Sequence, residues 1–438
     1  MRHGRLGTLV ALALLAVLLP PLAARAQQFI PIASYWTGPY AAAGSAFGDG
    51  MADYYHLLNV RDGGINGVQL TWEKCETAYK TARILECYDR MKGNGPTGMP
   101  FFHPLSTDGT YAVAERGRAD RVPILTIGYG RADAADGRVF PYLFPAISSY
   151  WSQSTAMIRF IGEQAGGMDK LRGMKIANLH HDSAYGKENI PLLERQAETY
   201  GFSFRNFPVA HPGLDQKAIW LQIARQYRPD YVILRGWGVM NPTALREAQR
   251  VAFPANRIVG VLWAGSEEDV IPAGSAARGY YAAGLQPSGR DFPVIQDMIR
   301  LLYSQGLGDM DPKRVGTIYF NRAVAMAILG TEAIRDAMKM VGENRPVTGQ
   351  EVQAALEQLV LDQPRLEALG AVGLLPEIRL TCRDHEGGAP VAFMRWDGGR
   401  WVTVARHVET DAAIVRPMVE ASAEFYASEK DIVPRTCE

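Results

Sequence analysis

The chain has 438 residues, 47% of them hydrophobic, and its 46 Lys and Arg residues balance its 46 Asp and Glu residues. This length provides about two domains' worth of core, so we expect a protein with two lobes. Because the net charge is zero and no long block of Lys or Arg is present, the composition argues against a nucleic-acid partner and for a small ligand of low charge.

The N-terminus carries the pattern of a secretory signal peptide, which we place at residues 1–26. Basic residues precede an apolar run over residues 9–19, and Ala24-Arg25-Ala26 provides the small residues that signal peptidase recognises. This run is too short to span a bilayer, which needs about 20 apolar residues. We therefore expect cleavage near Ala26 and a periplasmic protein, with a retained N-terminal anchor as the alternative.

Extended apolar runs alternate with amphipathic helical ones along the chain, which is typical of βαβ units and a mostly parallel sheet. The predicted strands span residues 29–34, 68–73, 99–102, 122–127, 174–179, 202–209, 231–234 and 258–263. Segments 140–147 and 279–286 break this series, and we predict that they cross between the lobes. Near the C-terminus, residues 391–396 and 401–405 flank Asp397-Gly398-Gly399 and predict a β-hairpin.

Loops at the ends of four predicted strands are rich in aromatic or hydroxyl-bearing residues, and each leads into a helix. They are Tyr35-Trp36-Thr37-Gly38, Ser106-Thr107-Asp108, Gly128-Tyr129-Gly130 and Gly236-Trp237-Gly238. In an open α/β sheet, ligands bind outside the carboxyl ends of the strands. These loops therefore predict one shared cleft, and the cleft is the expected functional site.

Aromatic residues are concentrated in and beside these loops. They are Trp36, Tyr40, Tyr129, Tyr150, Trp151, Tyr185, Trp237 and Trp263. Flat apolar walls suit an aromatic or otherwise unsaturated carboxylic acid. For each residue the alternative is packing in the core or at the hinge. Tyr129 and Trp237, which glycines flank at strand ends, are the strongest candidates for ligand contact.

The four cysteines of an exported chain are expected to form disulfides. Cys75 and Cys87 flank one segment, and Cys382 and Cys437 both lie towards the C-terminus. Residues twelve apart on one helix are separated by about 18 Å, which a disulfide cannot bridge, so we place Cys75 in the loop before the helix that carries Cys87. Buried free thiols and a zinc site are the alternatives.

The usual enzyme motifs are missing from the sequence, which has no GxSxG, HExxH, Walker A or kinase signature. Residues 93–98 match GxGxxG, but they precede a strand instead of following one and predict a turn. Adjacent residues of a strand point to opposite faces, so His180 and His181 predict a role at the mouth of the cleft and not a metal site. For His385 two roles stay open, contact with the cleft or a hydrogen bond that holds the hairpin. We expect no enzyme activity, cofactor or metal.

Several motifs occur together in an order that is characteristic of one family. They are Thr37-Gly38-Pro39-Tyr40, Asp62-Gly63-Gly64-Ile65-Asn66-Gly67, Val122-Pro123-Ile124-Leu125 and Asp182-Ser183-Ala184-Tyr185-Gly186. In these the chain resembles the periplasmic solute-binding proteins of branched-chain amino-acid type ABC transporters. The segments around Cys75, Cys87 and Cys382 look like a subgroup with two disulfides and a C-terminal hairpin.

This resemblance implies the type I periplasmic-binding fold, with two Rossmann-like lobes whose parallel sheets are joined by three crossings. It implies that residues 27–147 and 283–385 form lobe 1 and that residues 148–282 and 386–438 form lobe 2.

The resemblance also implies where a ligand binds. The family holds the ligand's carboxylate with hydroxyls that fall on Ser106 and Thr107, for which a helix N-cap is the alternative role, and with backbone groups near 128–130. Amino-acid binders meet the ammonium group with an acidic residue, where this chain has Trp263-Ala264-Gly265-Ser266, although Glu267 or Glu268 could serve. The expected ligand contacts are Trp36, Tyr40, Ser106, Thr107, Gly128, Tyr129, Gly130, Tyr150, Tyr185, Trp237 and Trp263.

We therefore expect a monomeric transport receptor that captures a small carboxylated solute, with an aromatic one favoured, and delivers it to an ABC permease in the inner membrane. Lobe closure around the ligand would be its mechanism. The alternatives are a ligand sensor for a membrane signalling partner, a receptor for branched-chain amino acids, and an exported hydrolase or redox-associated enzyme.

Overall fold

The computed structural model describes residues 26–437. The predicted signal peptide, residues 1–26, lies outside the described residues apart from Ala26 itself. Among the helices of the described part, none combines the length and the apolar character that a membrane crossing needs.

The strands and helices of residues 26–437 alternate along most of the chain. The strands are β1 (Gln27–Ser34), β2 (Gln69–Glu76), β3 (Ile124–Leu125), β4 (Leu143–Phe144), β5 (Lys175–His181), β6 (Ser203–Val209), β7 (Tyr231–Arg235), β8 (Ile258–Gly260), β9 (Tyr281–Gly284), β10 (Val360–Leu361), β11 (Ile378–Arg379), β12 (Val391–Trp396) and β13 (Trp401–Val408). The α-helices are α1 (Ala41–Asp62), α2 (Thr81–Met91), α3 (Thr107–Asp120), α4 (Tyr150–Gln164), α5 (Ala184–Lys187), α6 (Ile190–Tyr200), α7 (Lys217–Leu221), α8 (Met240–Arg250), α9 (Glu267–Val270), α10 (Pro293–Leu301), α11 (Ile318–Val341), α12 (Gly349–Leu356), α13 (Gln363–Leu369) and α14 (Ala412–Glu429).

The largest sheet has the strand order β13-β12-β9-β8-β7-β5-β6. Strands β5 to β9 pair in parallel, whereas β12 runs antiparallel to both β9 and β13. The apolar run Val232–Leu234 in β7 is completely buried, as expected of a parallel strand with helices on both faces of the sheet. The predicted mostly parallel α/β fold and the C-terminal hairpin are confirmed.

The other half of the fold is built around β1 and β2, which pair in parallel over their whole length. Strands β3 and β4 also pair in parallel, and Phe102 joins them through one bridge to Ile124. The strand predicted at 99–102 is therefore reduced to an isolated bridge. The crossing predicted at 279–286 was wrong over residues 281–284, because these residues form β9 between β8 and β12.

Two disulfides are present, Cys75–Cys87 and Cys382–Cys437, with Cα atoms 5.9 Å and 5.6 Å apart. The prediction that Cys75 lies in a loop was wrong, since it belongs to β2. After β2 the chain reverses through residues 77–80, so α2 packs on the strand and Cys87 comes within bonding distance. The bridge thus fastens a helix to a strand.

The C-terminal helix α14 packs on residues that precede α4 in the chain. Tyr426 stacks on Phe140 with ring centroids 4.9 Å apart, and Ala423 and Ala427 are buried in the same cluster. The chain beyond the hairpin therefore contacts residues of the predicted lobe 1. The lobe boundaries themselves remain a prediction.

Candidate ligand-binding site

A narrow cavity lies among loops that follow strands of both halves of the fold. Its lining consists of Tyr35, Tyr79, Leu105, Ser106, Thr107, Tyr129, Tyr150, Tyr185, Trp237 and Trp263. All but three of these residues are aromatic. Each of the four loops that the sequence predicted to share a cleft contributes at least one residue.

Strand ends position these side chains. Tyr35 directly follows β1, Trp237 lies two residues beyond β7, and Trp263 lies in the turn after β8. A Cβ atom on Gly44 of α1 would lie 2.0 Å from the carbonyl oxygen of Tyr35, so only glycine lets α1 pack this closely behind that wall. The carboxyl ends of the strands thus converge on the cavity, as expected of an open α/β sheet.

The aromatic rings contact one another across the cavity. The ring centroids of Tyr35 and Trp237 are 6.2 Å apart, and those of Trp237 and Trp263 are 5.3 Å apart. The ring centroids of Tyr150 and Tyr185 are 5.6 Å apart. Edge-on and tilted packing of this kind fixes the rings and leaves a narrow apolar space between them.

Hydroxyl groups lie at one end of this space. The Ser106 side chain accepts a hydrogen bond from the Gly109 backbone at 3.2 Å, so it caps α3 and lines the cavity at the same time. The hydroxyls of Thr107 and Tyr150 are 3.3 Å apart. The two roles considered for Ser106, helix cap and cavity wall, are therefore compatible in one residue.

The indole N–H of Trp237 is a free donor in the cavity wall. Trp237 is 4% exposed, and within residues 26–437 its Nε1 has no hydrogen-bond acceptor. The corresponding atom of Trp263 donates to the Gly128 carbonyl at 3.3 Å. A buried N–H without a partner costs about 1–3 kcal/mol, which makes a ligand acceptor the natural partner for Trp237.

Four of the predicted contact residues lie outside the cavity lining: Trp36, Tyr40, Gly128 and Gly130. The Trp36 indole turns away and donates to Asp49 at 2.9 Å. The Gly128 carbonyl already accepts from Gln153 and Trp263. Both glycines have positive φ angles, 72° and 96°, and they shape the loop that carries Tyr129.

Tyr40 connects α1 to the large sheet. Its hydroxyl lies 2.9 Å from Nε2 of His181 and 2.6 Å from Nδ1 of His211, so it donates to one imidazole and accepts from the other. Burial lowers the pKa of His181 to about 4, which keeps this ring neutral at physiological pH. His181 thus stands beside the cavity in a hydrogen-bonded link between the two halves of the fold.

Replacing Tyr40 by phenylalanine is expected to weaken ligand binding about tenfold. The variant keeps the ring but removes two hydrogen bonds that hold the halves together, each contributing about 0.5–1.5 kcal/mol. Titration calorimetry would measure the change. Tyr200→Phe is the control, because the Tyr200 hydroxyl donates to Asp411 at 3.0 Å and neither residue lines the cavity. Equal affinities of the two variants would contradict the role of Tyr40.

The acidic residues considered as ammonium partners do not line the cavity. Glu267 accepts from the Ile318 backbone at 2.9 Å, and Glu268 pairs with Arg314 at 2.9 Å. Their neighbour Asp269 is buried and accepts from Asn241, Tyr319 and the Ser266 backbone.

His385 is fully buried away from the cavity. Its ring stacks on Phe144 at 3.9 Å, and its nitrogens lie 2.8 Å from the Leu143 carbonyl oxygen and 3.1 Å from Glu357. Burial lowers its pKa to about 4. Neither of the two roles left open for this residue is found, because His385 does not line the cavity and its hydrogen bonds go to residues outside the hairpin.

Two buried arginines, neither of them predicted from the sequence, stand behind the aromatic walls. The guanidinium carbon of Arg235 lies 4.1 Å from the Tyr150 ring centroid, and that of Arg322 lies 4.7 Å from Trp263. The signal in each case is a charged residue inside an apolar run, at the end of β7 and early in α11. Tyr79 was also missed as a wall residue, although it follows the carboxyl end of β2.

Comparison with known proteins gives three kinds of result. A family model described as periplasmic binding protein matches residues 27–400. A crystal structure from the Pseudomonas fluorescens group, described as an ABC transporter permease, is 43% identical, covers 94% of this chain and 99% of its own, and has a TM-score of 0.87. No curated protein matches the chain.

Two more distant structures share the fold. A branched-chain amino acid ABC transporter from Thermus thermophilus with bound valine is 20% identical, covers 90% of this chain and 99% of its own, and has a TM-score of 0.75. An ABC transporter solute-binding protein from R. palustris in complex with benzoate is 15% identical, covers 88% of this chain and 97% of its own, and has a TM-score of 0.67.

Proposed function

This chain belongs to the periplasmic binding protein family, as a substrate-binding protein of an ABC transporter, and from that premise we propose that it captures a small carboxylated solute with a flat, apolar body. The two halves of the fold close on the solute, which is then delivered to a permease in the inner membrane. Proteins of this family are not enzymes, and the proposed cycle makes and breaks no bond.

One observation carries this proposal. The cavity combines aromatic walls with hydroxyls at Ser106 and Thr107 and with the free N–H of Trp237. Hydroxyl and N–H donors suit a carboxylate, and the rings suit a planar body. The bound valine and benzoate of two structural neighbours, both carboxylates, agree with this choice of ligand class.

Closure accounts for affinity in physical terms. The walls come from loops of both halves, so a ligand is fully enclosed only when Trp237 and Trp263 face Tyr35 and Tyr129. A ligand that contacts both halves binds the closed form better than the open one and shifts the population towards it. The Tyr40 link adds to the stability of that closed form.

A thermal-shift screen of ligand-stripped, refolded protein tests the proposal. The panel contains benzoate, 3-phenylpropanoate, short aliphatic acids, amides and amino acids. A ligand at about 100 times its Kd stabilises the folded state by about 2.7 kcal/mol, so a true ligand gives a clear shift. We expect the largest shifts from acids with a planar body. Shifts from amides alone, or from no member of the panel, would refute the proposal.

Branched-chain amino acids are the second candidate ligands, because one structural neighbour is described with bound valine. The acidic residue that such ligands require at their ammonium group is absent from the cavity lining. A shift confined to leucine, isoleucine and valine in the same screen would favour this alternative.

Affinity for an anion is expected to rise about threefold or more as the pH falls from 8 to 6. Burial raises the pKa of Asp269 and of Glu188 to about 7 in each case, so both carboxyls take up protons over this range. Protonation removes negative charge near the cavity and favours an anionic ligand. Titrations at several pH values would measure the trend. Asp269→Asn should reduce the pH dependence, and an unchanged or inverted profile would contradict this explanation.

A further inference from the structure

The two buried arginines behind the cavity walls have no carboxylate partner. Arg235 and Arg322 are 1% and 0% exposed, and neither forms an ion pair within the part of the chain that the structure describes. In each residue one terminal nitrogen, Nη2, has no hydrogen-bond acceptor there. Most other arginines of the fold either pair with Asp or Glu or reach solvent, so this pair is unusual.

The contacts of Arg235 place its charge at one side of the cavity. Its Nε donates to the Tyr185 carbonyl at 2.9 Å, and its guanidinium lies against the rings of Tyr150 and Tyr185 at 4.1 Å and 4.9 Å from their centroids. Both rings line the cavity, and the Tyr150 hydroxyl is 3.3 Å from that of Thr107. The Tyr150 ring therefore lies between the guanidinium of Arg235 and the hydroxyl end of the site.

Arg322 places a second charge behind Trp263. Its Nε donates to Gln286 at 3.1 Å and its Nη1 to the Leu262 carbonyl at 3.1 Å, both neutral acceptors. Its guanidinium lies 4.7 Å from the Trp263 ring centroid and 5.6 Å from that of Tyr319. Burial lowers its pKa to about 10, which still leaves it charged at neutral pH.

Burying a charge without a partner is costly, and proteins normally pair such groups or use them for function. The acidic groups nearest to this arrangement, Asp269 and Glu188, have raised pKa values of about 7 and are already held by other donors. No acidic residue lines the cavity. The site is thus flanked by two fixed positive charges at low dielectric, where a charge acts far more strongly than in water.

We propose that Arg235 and Arg322 make this cavity selective for organic anions that lack an ammonium group. The inference rests on the proposed function and narrows it, since an amino acid is also a small carboxylated solute. The positive charges attract a carboxylate and repel an ammonium group, for which the wall offers no acceptor carboxylate. Cation–π contact also holds the rings of Tyr150, Tyr185 and Trp263 in place. The arginines therefore supply positive charge behind the walls and also restrict the motion of the wall residues.

The test compares acids with amino acids of the same carbon skeleton. Calorimetric titrations would use 3-phenylpropanoate against phenylalanine and 4-methylpentanoate against leucine, on the wild-type protein. We expect at least one acid to bind about 100-fold or more tightly than its amino acid, because an ammonium group is both repelled and desolvated. An amino acid that binds as tightly as its acid would overturn the inference and leave the receptor function intact. Failure of every acid and amino acid to bind would overturn the receptor function as well.

Charge variants assign the selectivity to the two arginines. Arg235→Gln and Arg322→Gln should each weaken binding of the acid about tenfold or more and reduce its advantage over the amino acid. Arg300→Gln is the matched control, because Arg300 is mostly exposed and pairs with Asp297 away from the cavity. A purely structural role would lower the thermal stability of the Gln variants without changing the ratio of the two affinities. That result, measured on variants with native circular dichroism, would overturn the inference.

Discussion

Replacing Trp237 by alanine is expected to weaken binding of the best acid by about 100-fold or more. The substitution removes a wall that packs against Tyr35 and Trp263 and also removes the free indole N–H. A hydrogen bond to a charged group contributes about 1.5–3 kcal/mol, and the lost apolar contact adds to it. Since about 1.4 kcal/mol corresponds to a factor of ten, the two effects together account for the expected loss.

Two further variants separate the contributions of Trp237. Trp237→Phe keeps most of the ring surface but lacks the N–H, so we expect a loss of about tenfold. Trp36→Ala is the control, because this tryptophan lies two residues beyond β1, as Trp237 does beyond β7, but its indole donates to Asp49 outside the cavity. Its affinity should stay within about twofold of the wild type, because it makes no contact with the cavity. Full affinity of Trp237→Ala, or a large loss in Trp36→Ala, would show that the cavity is not the binding site.

Removing the Cys382–Cys437 disulfide is expected to give the largest loss of stability. The two cysteines are 55 residues apart in sequence, and closing a loop of that size restricts the unfolded chain by about 4 kcal/mol. For Cys75 and Cys87, 12 residues apart, the same reasoning gives about 3 kcal/mol. Denaturant unfolding of the two double Cys→Ser variants would measure the free energies of unfolding.

The C-terminal disulfide lies away from the cavity. It ties the chain end, where Arg435 pairs with Glu357, to the segment that contains His385. Loss of the bridge would free the tail that lies beyond α14, while the cavity walls would stay in place. We therefore expect nearly unchanged ligand affinity in the Cys382→Ser, Cys437→Ser variant. A smaller destabilisation than that of the Cys75, Cys87 pair would contradict the loop-size explanation.

The fold was predictable because its strands carry apolar residues between turn signals. Residues 231–234 are a continuous apolar run and form all but the last residue of β7, whereas residues 202–209 mix apolar with polar residues and contain the whole of β6. Residues 281–284 were misassigned because two alanines and a glycine carry little strand preference. They form β9 only because β8 and β12 supply hydrogen bonds on both sides, and pairing with distant strands cannot be predicted from a local sequence.

The position of the site was predictable, but its individual walls were only partly so. Parallel strands place the residues after their carboxyl ends at one edge, which is why the loops with Ser106, Tyr129 and Trp237 share the cavity. The direction of a side chain depends on backbone angles that the sequence does not reveal. Tyr79 faces the cavity from a turn in which two successive residues have positive φ angles, 49° at Ala78 and 56° at Tyr79 itself. Trp36, one residue after Tyr35, points away.

The arginines behind the walls illustrate a different limit. Arg322 lies on α11, almost 60 residues beyond Trp263 in the sequence, and only the packed helix brings the two together. The sequence did contain a signal, because a charged residue in the apolar first turns of a helix needs a reason to be there. The sequence does not show that Arg322 has no carboxylate partner within the described residues, and this is the observation that points to a role at the cavity.

The most direct test of the central claim is a calorimetric titration of the ligand-stripped protein with 3-phenylpropanoate and benzoate, repeated on Trp237→Ala. The account predicts saturable binding of at least one acid with one site per chain, and a loss of about 100-fold or more in the variant. Absence of saturable binding by either acid, or binding that the variant retains in full, would contradict the claim that the aromatic cavity is a receptor site for a small carboxylate.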